Sequence, residues 1–235
     1  MNRNLTADAK RLRPAFFVLG ILLATCLAAS AAGISGRVTV LSKDGQQPLK
    51  RFDHAVVFIE GLETPPPGEP AVMDQRNKEF VPRLLPVVKG QEIRILNSDK
   101  VQHNVFSPHD QEPFDLGLYP AGESKSVRLQ VLNRHKVYCM IHKSMVADIF
   151  VLPNRYFGVT DDNGRYRIDA PPPGNYVLRV WHIFGGQDRT PIHVGQDSLT
   201  IDFTIRSSQS SEEVLDHPGK AGQSYQDPSS VGDAY

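Results

Sequence analysis

The residues best suited to chemistry lie in one short segment. Residues 138–145 read YCMIHKSM, so Cys139, His142 and Met145 follow one another at intervals of three, a C-x2-H-x2-M pattern. A thiolate, an imidazole and a thioether together favour copper over other biological metals. The residues on both sides, 136–139 and 146–152, predict strands, and a loop between adjacent strands can direct all three side chains to one point. We therefore expect a copper site in this loop.

Such a site needs a second histidine from elsewhere in the chain. A blue electron-transfer centre combines two histidines, one cysteine and a weakly bound methionine. The candidate is His103, which lies 36 residues before Cys139 in the segment NSDKVQHNVF, at the start of another short predicted strand. The remaining histidines lack ligand-like spacing or fit structural roles better. The alternative is that the chain has the same fold but that these residues bind no metal.

The elements that must position these residues are strands. Apolar and polar residues alternate in several segments, an uninterrupted apolar run covers another, and Gly/Pro/Asn/Asp turn signals separate them. The clearest candidates are residues 34–40, 54–60, 126–131, 176–182 and 199–206. After the N-terminal region no segment keeps a helical period for three turns. We expect an all-β chain built as antiparallel sandwiches or barrels.

Length, composition and charge limit the possible functions. The 235 residues suit one large or two small domains. The formal net charge is zero, so the basic surplus of a nucleic-acid-binding protein is absent from the composition. We find no nucleophile elbow, phosphate-binding loop or paired-carboxylate arrangement in the sequence, and a four-ligand metal site lacks the open position that catalysis usually needs. We therefore do not expect an enzyme.

Residues 1–31 have the features of an export signal. A basic stretch ends at Arg13, residues 15–29 carry no charge, and Ala29-Ser30-Ala31 fits a cleavage site. The apolar stretch is shorter than the ~20 residues of a membrane span, and no second one follows. We expect a periplasmic or secreted protein with no membrane span after signal cleavage. An uncleaved anchor and a lipid anchor at Cys26 are the alternatives.

Export makes the remaining cysteine informative. The chain has two cysteines, and Cys26 falls within the predicted signal, so the mature protein would keep only Cys139. A single cysteine cannot form an internal disulfide, and an exposed free thiol is a liability in an oxidising compartment. Cys139 is therefore expected to be either a buried, inert thiol or a metal ligand.

Residues 71–152 resemble the cupredoxins, the blue copper proteins that include amicyanin and plastocyanin. The matching motifs are FVP at 80–82, VKGQ at 88–91, N-x-D-x3-H-N at 97–104, FDLG at 114–117, AGES at 121–124 and the cysteine loop. The resemblance implies a Greek-key sandwich that holds one type-1 copper. Its equatorial ligands would be His103, Cys139 and His142, and its axial ligand Met145. Asn104 matches the asparagine that ties the first-histidine strand to the cysteine loop in the family.

The flanking segments resemble a different fold. GISGRV at 33–38, AVVFI at 55–59, VTDDNGRY at 159–166 and PPGNY at 172–176 are similar to a carboxypeptidase regulatory-like, or transthyretin-like, β-sandwich. This resemblance implies one discontinuous domain, residues 33–62 and 153–206, with the cupredoxin inserted into it. Composite chains of this type are often labelled methylamine-utilisation-like, a label that establishes no function. Residues 207–235, rich in Ser, Gly, Gln and Asp, predict a disordered tail.

These features predict an exported type-1 copper protein that carries single electrons between redox partner proteins. One alternative is a copper-carrying or copper-storage protein. Another is a copper-free, carbohydrate-binding-like module used in adhesion. The first requires reversible redox chemistry, the second requires facile metal exchange, and the third requires neither.

Overall fold

The computed structural model describes residues 33–49 and 54–208. The predicted export signal and nearly all of the predicted tail lie outside these residues. The described part is all-β, as predicted, and contains no helix that could cross a membrane. Its strands are β1 (Gly33–Leu41), β2 (Ala55–Glu60), β3 (Ala71–Arg76), β4 (Glu79–Val81), β5 (Leu84–Val88), β6 (Glu92–Asn97), β7 (His103–Ser107), β8 (Phe114–Tyr119), β9 (Ser124–Arg128), β10 (Asn133–Tyr138), β11 (Val146–Leu152), β12 (Phe157–Val159), β13 (Arg165–Asp169), β14 (Gly174–His182), β15 (Gln187–Val194), β16 (Leu199–Thr200) and β17 (Phe203–Arg206).

The strands form four sheets in two groups. Strands β3–β11 pair only with one another, in the orders β4-β3-β6-β9 and β5-β11-β10-β7-β8. The other strands of the described residues also pair only among themselves, as β12-β2-β14-β15 and as β13-β1-β16 with β17 alongside β1. We name the first group the inner sandwich and the second the outer sandwich.

Three apolar cores hold the four sheets in a stack. One core fills the outer sandwich and includes Ile34 and Leu178. Another fills the inner sandwich and includes Ile95 and Ile149. A third joins the two sandwiches, because it contains Phe58 of β2 together with residues of β5 and β11. Apolar area removed from water therefore stabilises the junction as well as each sandwich.

Strands β2 and β11 are buried on both faces. In β2, Val57 belongs to the core of the outer sandwich, whereas Phe58 belongs to the junction core. In β11, Ile149 belongs to the core of the inner sandwich, whereas Phe150 belongs to the junction core. Successive side chains point to opposite faces of a strand, so a strand between two cores needs consecutive apolar residues.

The junction also contains aromatic contacts and an arginine that pairs with a buried carboxylate. The Phe150 ring lies 5.8 Å from the ring of Phe58 and 4.6 Å from that of Trp181. Arg134 places its guanidinium 5.4 Å from the Trp181 ring centroid and its Nε 2.5 Å from Oδ1 of the buried Asp148. The ring contacts and the Arg134–Trp181 contact cross from the inner sandwich to the outer one. The ion pair lies within one sheet, because β10 and β11 are neighbours, and it orients the Arg134 guanidinium.

The chain enters and leaves the inner sandwich at a single place. The Thr64 N–H donates to the Pro153 carbonyl at 3.1 Å, and the Arg155 N–H donates to the Thr64 hydroxyl oxygen at 3.1 Å. Asn154 is buried, and its Nδ2 donates to the Ile59 carbonyl at 2.9 Å. The two ends of the segment that forms the inner sandwich are thus bonded to each other.

One predicted strand is divided in the structure. The alternation in residues 199–206 predicts a single strand, but β16 and β17 pair separately with β1. Between them, the Arg37 N–H donates to the Asp202 carboxylate at 2.7 Å instead of to a backbone carbonyl. The Ile201 carbonyl also approaches Gly36 so closely that a Cβ there would collide with it. These two contacts interrupt the ladder without changing which side chains face the core.

A second predicted strand ends early. The pattern predicts a strand over residues 126–131, whereas β9 ends at Arg128. The N–H groups of Gln130 and Val131 donate to the Glu112 carboxylate, each at 2.8 Å. A carboxylate on a neighbouring loop therefore takes the place of the next strand partner.

Candidate metal centre

Three of the predicted ligands meet at one end of the inner sandwich. His103 begins β7, Cys139 directly follows β10, and His142 lies in the loop between β10 and β11. The Cys139 Sγ is 3.8 Å from Nδ1 of His103 and 3.7 Å from Nδ1 of His142, and the two nitrogens are 3.0 Å apart. Among the described residues this is the one group of at least three Cys, His, Asp or Glu side chains that could hold a metal.

The three donor atoms fit a first-row metal ion. A circle through atoms with these separations has a radius of about 2.0 Å, close to the ~2.0–2.3 Å bonds that imidazole nitrogen and thiolate sulfur make to zinc. The atoms therefore need little rearrangement to share one ion. One thiolate and two imidazoles, with a thioether in the same loop, favour copper.

The strands and two loop hydrogen bonds fix the cluster. β7 and β10 are neighbours, with Phe106 opposite Tyr138, so His103 begins one strand and Cys139 directly follows the strand beside it. The Cys139 N–H donates to the Met145 carbonyl at 3.3 Å, and the Met145 N–H donates to the His142 carbonyl at 3.0 Å. The loop is thus closed around the three donors by its own backbone.

The candidate ligands differ in how far they are exposed to solvent. His103, Cys139 and Met145 are fully buried, whereas His142 is partly exposed. The Met145 side chain belongs to the same apolar core as Cys139. Only the His142 edge of the cluster therefore meets solvent. The axial role that the family resemblance implies for Met145 stays a prediction.

Both imidazoles are neutral at pH 7. Burial, followed by the nearby His103 and Lys78, lowers the pKa of His142 to about 4. Burial also lowers the pKa of His103, against the opposing effect of Asp99. Neutral imidazole is the form that binds metals, so protons do not compete for these two nitrogens near neutral pH.

Asp99 is the aspartate of the N-x-D-x3-H-N segment, and the sequence analysis assigns it no role. Its Oδ2 lies 3.1 Å from Nε2 of His103, the ring nitrogen that faces away from Cys139. Burial alone would raise the pKa of the Asp99 carboxyl, but hydrogen bonds from Lys78, Lys100 and His103 outweigh it and hold the pKa below its usual value. A carboxylate therefore lies directly behind one candidate ligand.

Asn104, which follows His103 in β7, donates a side-chain hydrogen bond to the neighbouring strand. Its Nδ2 donates to Oδ1 of Asp115 on the neighbouring β8 at 2.8 Å. Its Oδ1 is buried and has no hydrogen-bond partner within the described part of the chain. The tie to the cysteine loop that the resemblance implies for Asn104 stays a prediction.

Two further histidines form a separate contact. His109, in the loop between β7 and β8, stacks on His135 of β10 with ring centroids 4.0 Å apart. His135 is fully buried, and its Nε2 lies 2.8 Å from the Val131 carbonyl. Neither residue belongs to the candidate metal cluster of His103, Cys139 and His142.

Comparisons with known proteins find partial similarity to copper proteins. No protein-family model and no curated protein matches the chain. A purple cupredoxin from Nitrosopumilus maritimus matches 35% of this chain over 99% of its own, with 19% identity and a TM-score of 0.32. A reduced amicyanin variant matches 41% over 98% of its own chain, with 16% identity and a TM-score of 0.34. A copper-containing nitrite reductase from Thermus scotoductus SA-01 matches 36%, with 20% identity and a TM-score of 0.34, but over only 22% of its own chain.

Proposed function

We propose that this chain is an exported type-1 copper protein that carries single electrons between redox partner proteins. The supporting observation is the convergence of Cys139, His103 and His142, whose donor atoms lie 3.0–3.8 Å apart at a largely buried position. One cysteine and two histidines are the equatorial set of a blue electron-transfer centre. Met145 would complete it as the weak axial ligand.

The protein's part in this function is to hold the donors still. Copper bound at this position would supply a one-electron couple. His103 begins β7 and Cys139 directly follows the neighbouring β10, while the backbone hydrogen bonds at Met145 close the loop that carries His142. Donors that are held in place need not rearrange when the charge of the ion changes. Such an arrangement favours electron transfer over release of the metal.

The burial pattern also gives the proposed centre one accessible side. His103, Cys139 and Met145 exclude water, whereas the partly exposed His142 can lie against a partner protein. We propose His142 as the exit for the electron. No open coordination position for a substrate is part of the proposal, so the protein is not expected to be an enzyme.

The proposal also covers export and domain organisation. Export rests on residues 1–31, which precede the described residues. The flanking ranges 33–62 and 153–206 are proposed to form one carboxypeptidase regulatory-like domain, with residues 71–152 as a cupredoxin inserted into it. The supporting observation is that strands of the inner sandwich pair only with one another, while β1 and β2 pair with strands that follow residue 156.

The decisive experiment is the visible spectrum of the purified protein after addition of Cu(II). An intense blue charge-transfer band is expected, because a short copper–thiolate bond from Cys139 would produce it. The Cys139→Ser variant should fold normally and stay colourless. The matched control is Ser144→Ala, a small change at an exposed position of the same loop, which should keep the band. A colourless wild-type protein that binds copper weakly or not at all would refute the type-1 assignment.

A further inference from the structure

Basic side chains gather on the face of the inner sandwich that meets the outer one. Lys136 of β10 stands directly opposite Asp148 of β11, and the Asp148 N–H donates at 2.8 Å to the carbonyl of Arg83, which directly precedes β5. Arg134 forms its ion pair with the same Asp148 carboxylate. Burial lowers the pKa of Lys136, and the nearby Arg134 and Arg83 lower it further, against the opposing effect of Asp148. These three cations, which we name the basic cluster, therefore lie close enough together to act on one another.

The described part of the chain ends next to this cluster. The Ser208 N–H donates to the Phe184 carbonyl at 2.9 Å, so the last described residue is attached to the turn between β14 and β15. The centroid of the Phe184 ring lies 5.8 Å from the guanidinium carbon of Arg83. One residue of the outer sandwich thus contacts both a member of the basic cluster and the point from which the chain continues.

The residues that follow Ser208 carry the opposite charge. Residues 212–216 read EEVLD, in which three carboxylates flank two apolar residues. Residues 209–211 separate this segment from Ser208, and four residue steps of extended chain span at most ~14 Å. Glu212 can therefore reach past the Phe184 ring to Arg83.

We propose that residues 212–216 bind the basic cluster, with their carboxylates paired to Arg83 and Lys136, so that the chain after β17 forms a strap from the outer sandwich to the inner one. The occupant belongs to the same chain, and a short flexible linker gives it an effective concentration on the order of millimolar. Arg83 and Lys136 are half-buried, and ion pairs at such positions are screened by salt less than fully exposed ones. This proposal goes beyond the copper function and gives one short segment of the predicted disordered tail a binding surface.

Carbodiimide cross-linking of the full chain, followed by peptide mass spectrometry, tests the strap directly. The reagent joins a carboxylate to an amine that it contacts and does not join it to a guanidinium, so Lys136 is the member of the cluster that can react. Lys136 should be joined to a carboxylate of residues 212–216, with a yield that falls at high salt because the Debye length shortens. The triple variant Glu212→Gln, Glu213→Gln and Asp216→Asn keeps the size of the side chains and removes their charge. It should lose this cross-link and should unfold at a lower denaturant concentration than wild type.

Matched variants separate this contact from general attraction between charges. Asp227→Asn combined with Asp233→Asn removes two carboxylates from a later part of the tail and should change neither the cross-link nor the denaturation midpoint. Lys136→Arg keeps the positive charge and removes the amine, so it should lose the cross-link and keep the midpoint.

Either of two results would overturn the proposal. One is a wild-type chain in which Lys136 is joined to no carboxylate of residues 212–216. The other is a triple variant whose denaturation midpoint equals that of wild type. None of the described strands contains a residue substituted in the triple variant, so it should fold as wild type does. Neither measurement uses copper, so a missing blue band would refute the proposed function and not the strap.

Discussion

The candidate ligands differ in how firmly the fold holds each of them. His103 and Cys139 are attached to neighbouring strands of one sheet, so their positions are set by the pairing of β7 with β10. His142 and Met145 depend on a short loop and on the two backbone hydrogen bonds that close it. Changes at Met145 should therefore adjust the proposed centre, whereas changes at Cys139 should abolish it.

The first prediction concerns a single ligand residue and uses the variant Met145→Gln. A thioether is soft and favours Cu(I), whereas an amide oxygen is harder and favours Cu(II), so the variant should keep its copper and its colour but have a lower reduction potential. Voltammetry of both proteins measures the difference. The wild type should give a reversible one-electron wave. Loss of copper from the wild type on reduction, or an unmoved potential in the variant, would favour copper delivery over electron transfer.

Sequence reasoning located these residues unequally well. Cys139 and His142 stand out because the spacing within a short loop is a local property, and His103 could be proposed because it begins a predicted strand. The contact of Asp99 with His103 could not be predicted in the same way, because the carboxylate is held by a backbone N–H from Lys78 in a distant hairpin. A pattern of residue types does not show which way a loop carboxylate turns.

Among the strands, the continuous apolar run of β2 carried the clearest information. It predicted a strand, and in the structure β2 lies between two cores, as β11 does. The division between β16 and β17 could not be predicted, because it arises from the contact of Asp202 with Arg37 across the sheet. Local periodicity predicts well which face of the sheet a side chain occupies. It predicts poorly where a residue distant in sequence interrupts a strand.

A second prediction concerns β10 and the loop that covers it. Burial lowers the pKa of His135, which is stacked under His109, and burial also lowers the pKa of His103 and His142. Histidines with a folded-state pKa below the unfolded value of 6.5 take up protons preferentially in the unfolded chain. Stability of the copper-free protein should therefore be lost as the pH falls below about 6.5, by at most about 2 kcal/mol per histidine at pH 5.

Chemical denaturation at pH 7.5 and pH 5 measures this loss. His135→Gln removes one of the buried imidazoles while leaving an amide that can still donate to the Val131 carbonyl, the partner of His135 Nε2. The variant should lose less stability between the two pH values than the wild type does. Equal losses in the two proteins would show that His135 is not one of the groups responsible.

The third prediction belongs to the whole molecule. The bond between Thr64 and Pro153 brings together the ends of the segment that forms the inner sandwich. Deleting residues 65–152 and joining Thr64 to Pro153 should leave a folded outer sandwich, because its sheets and its core come from the remaining strands. The deletion uncovers apolar junction residues such as Phe58 and Ile183, so the product should self-associate.

Far-ultraviolet circular dichroism and light scattering would follow the two effects, with the full chain as the control. A folded product that associates is the expected result. An unfolded product would show that the outer strands need the inner sandwich for their stability, and that the discontinuous domain is not independent. A second variant, Phe58→Ser in the shortened chain, should reduce the association without changing the sheet content.

The contact at Thr64 and Pro153 also has a consequence for the order in which the chain folds. Strand β1 is made early but pairs with β13, which lies beyond the whole inner sandwich, as Gly33 does with Asp169. For a flexible loop of about ninety residues, closing the ends costs about 4 kcal/mol in entropy. An inner sandwich that has already folded holds those ends together and removes most of this cost. The inner sandwich should therefore fold first and act as the nucleus on which the first two strands and the last six are assembled.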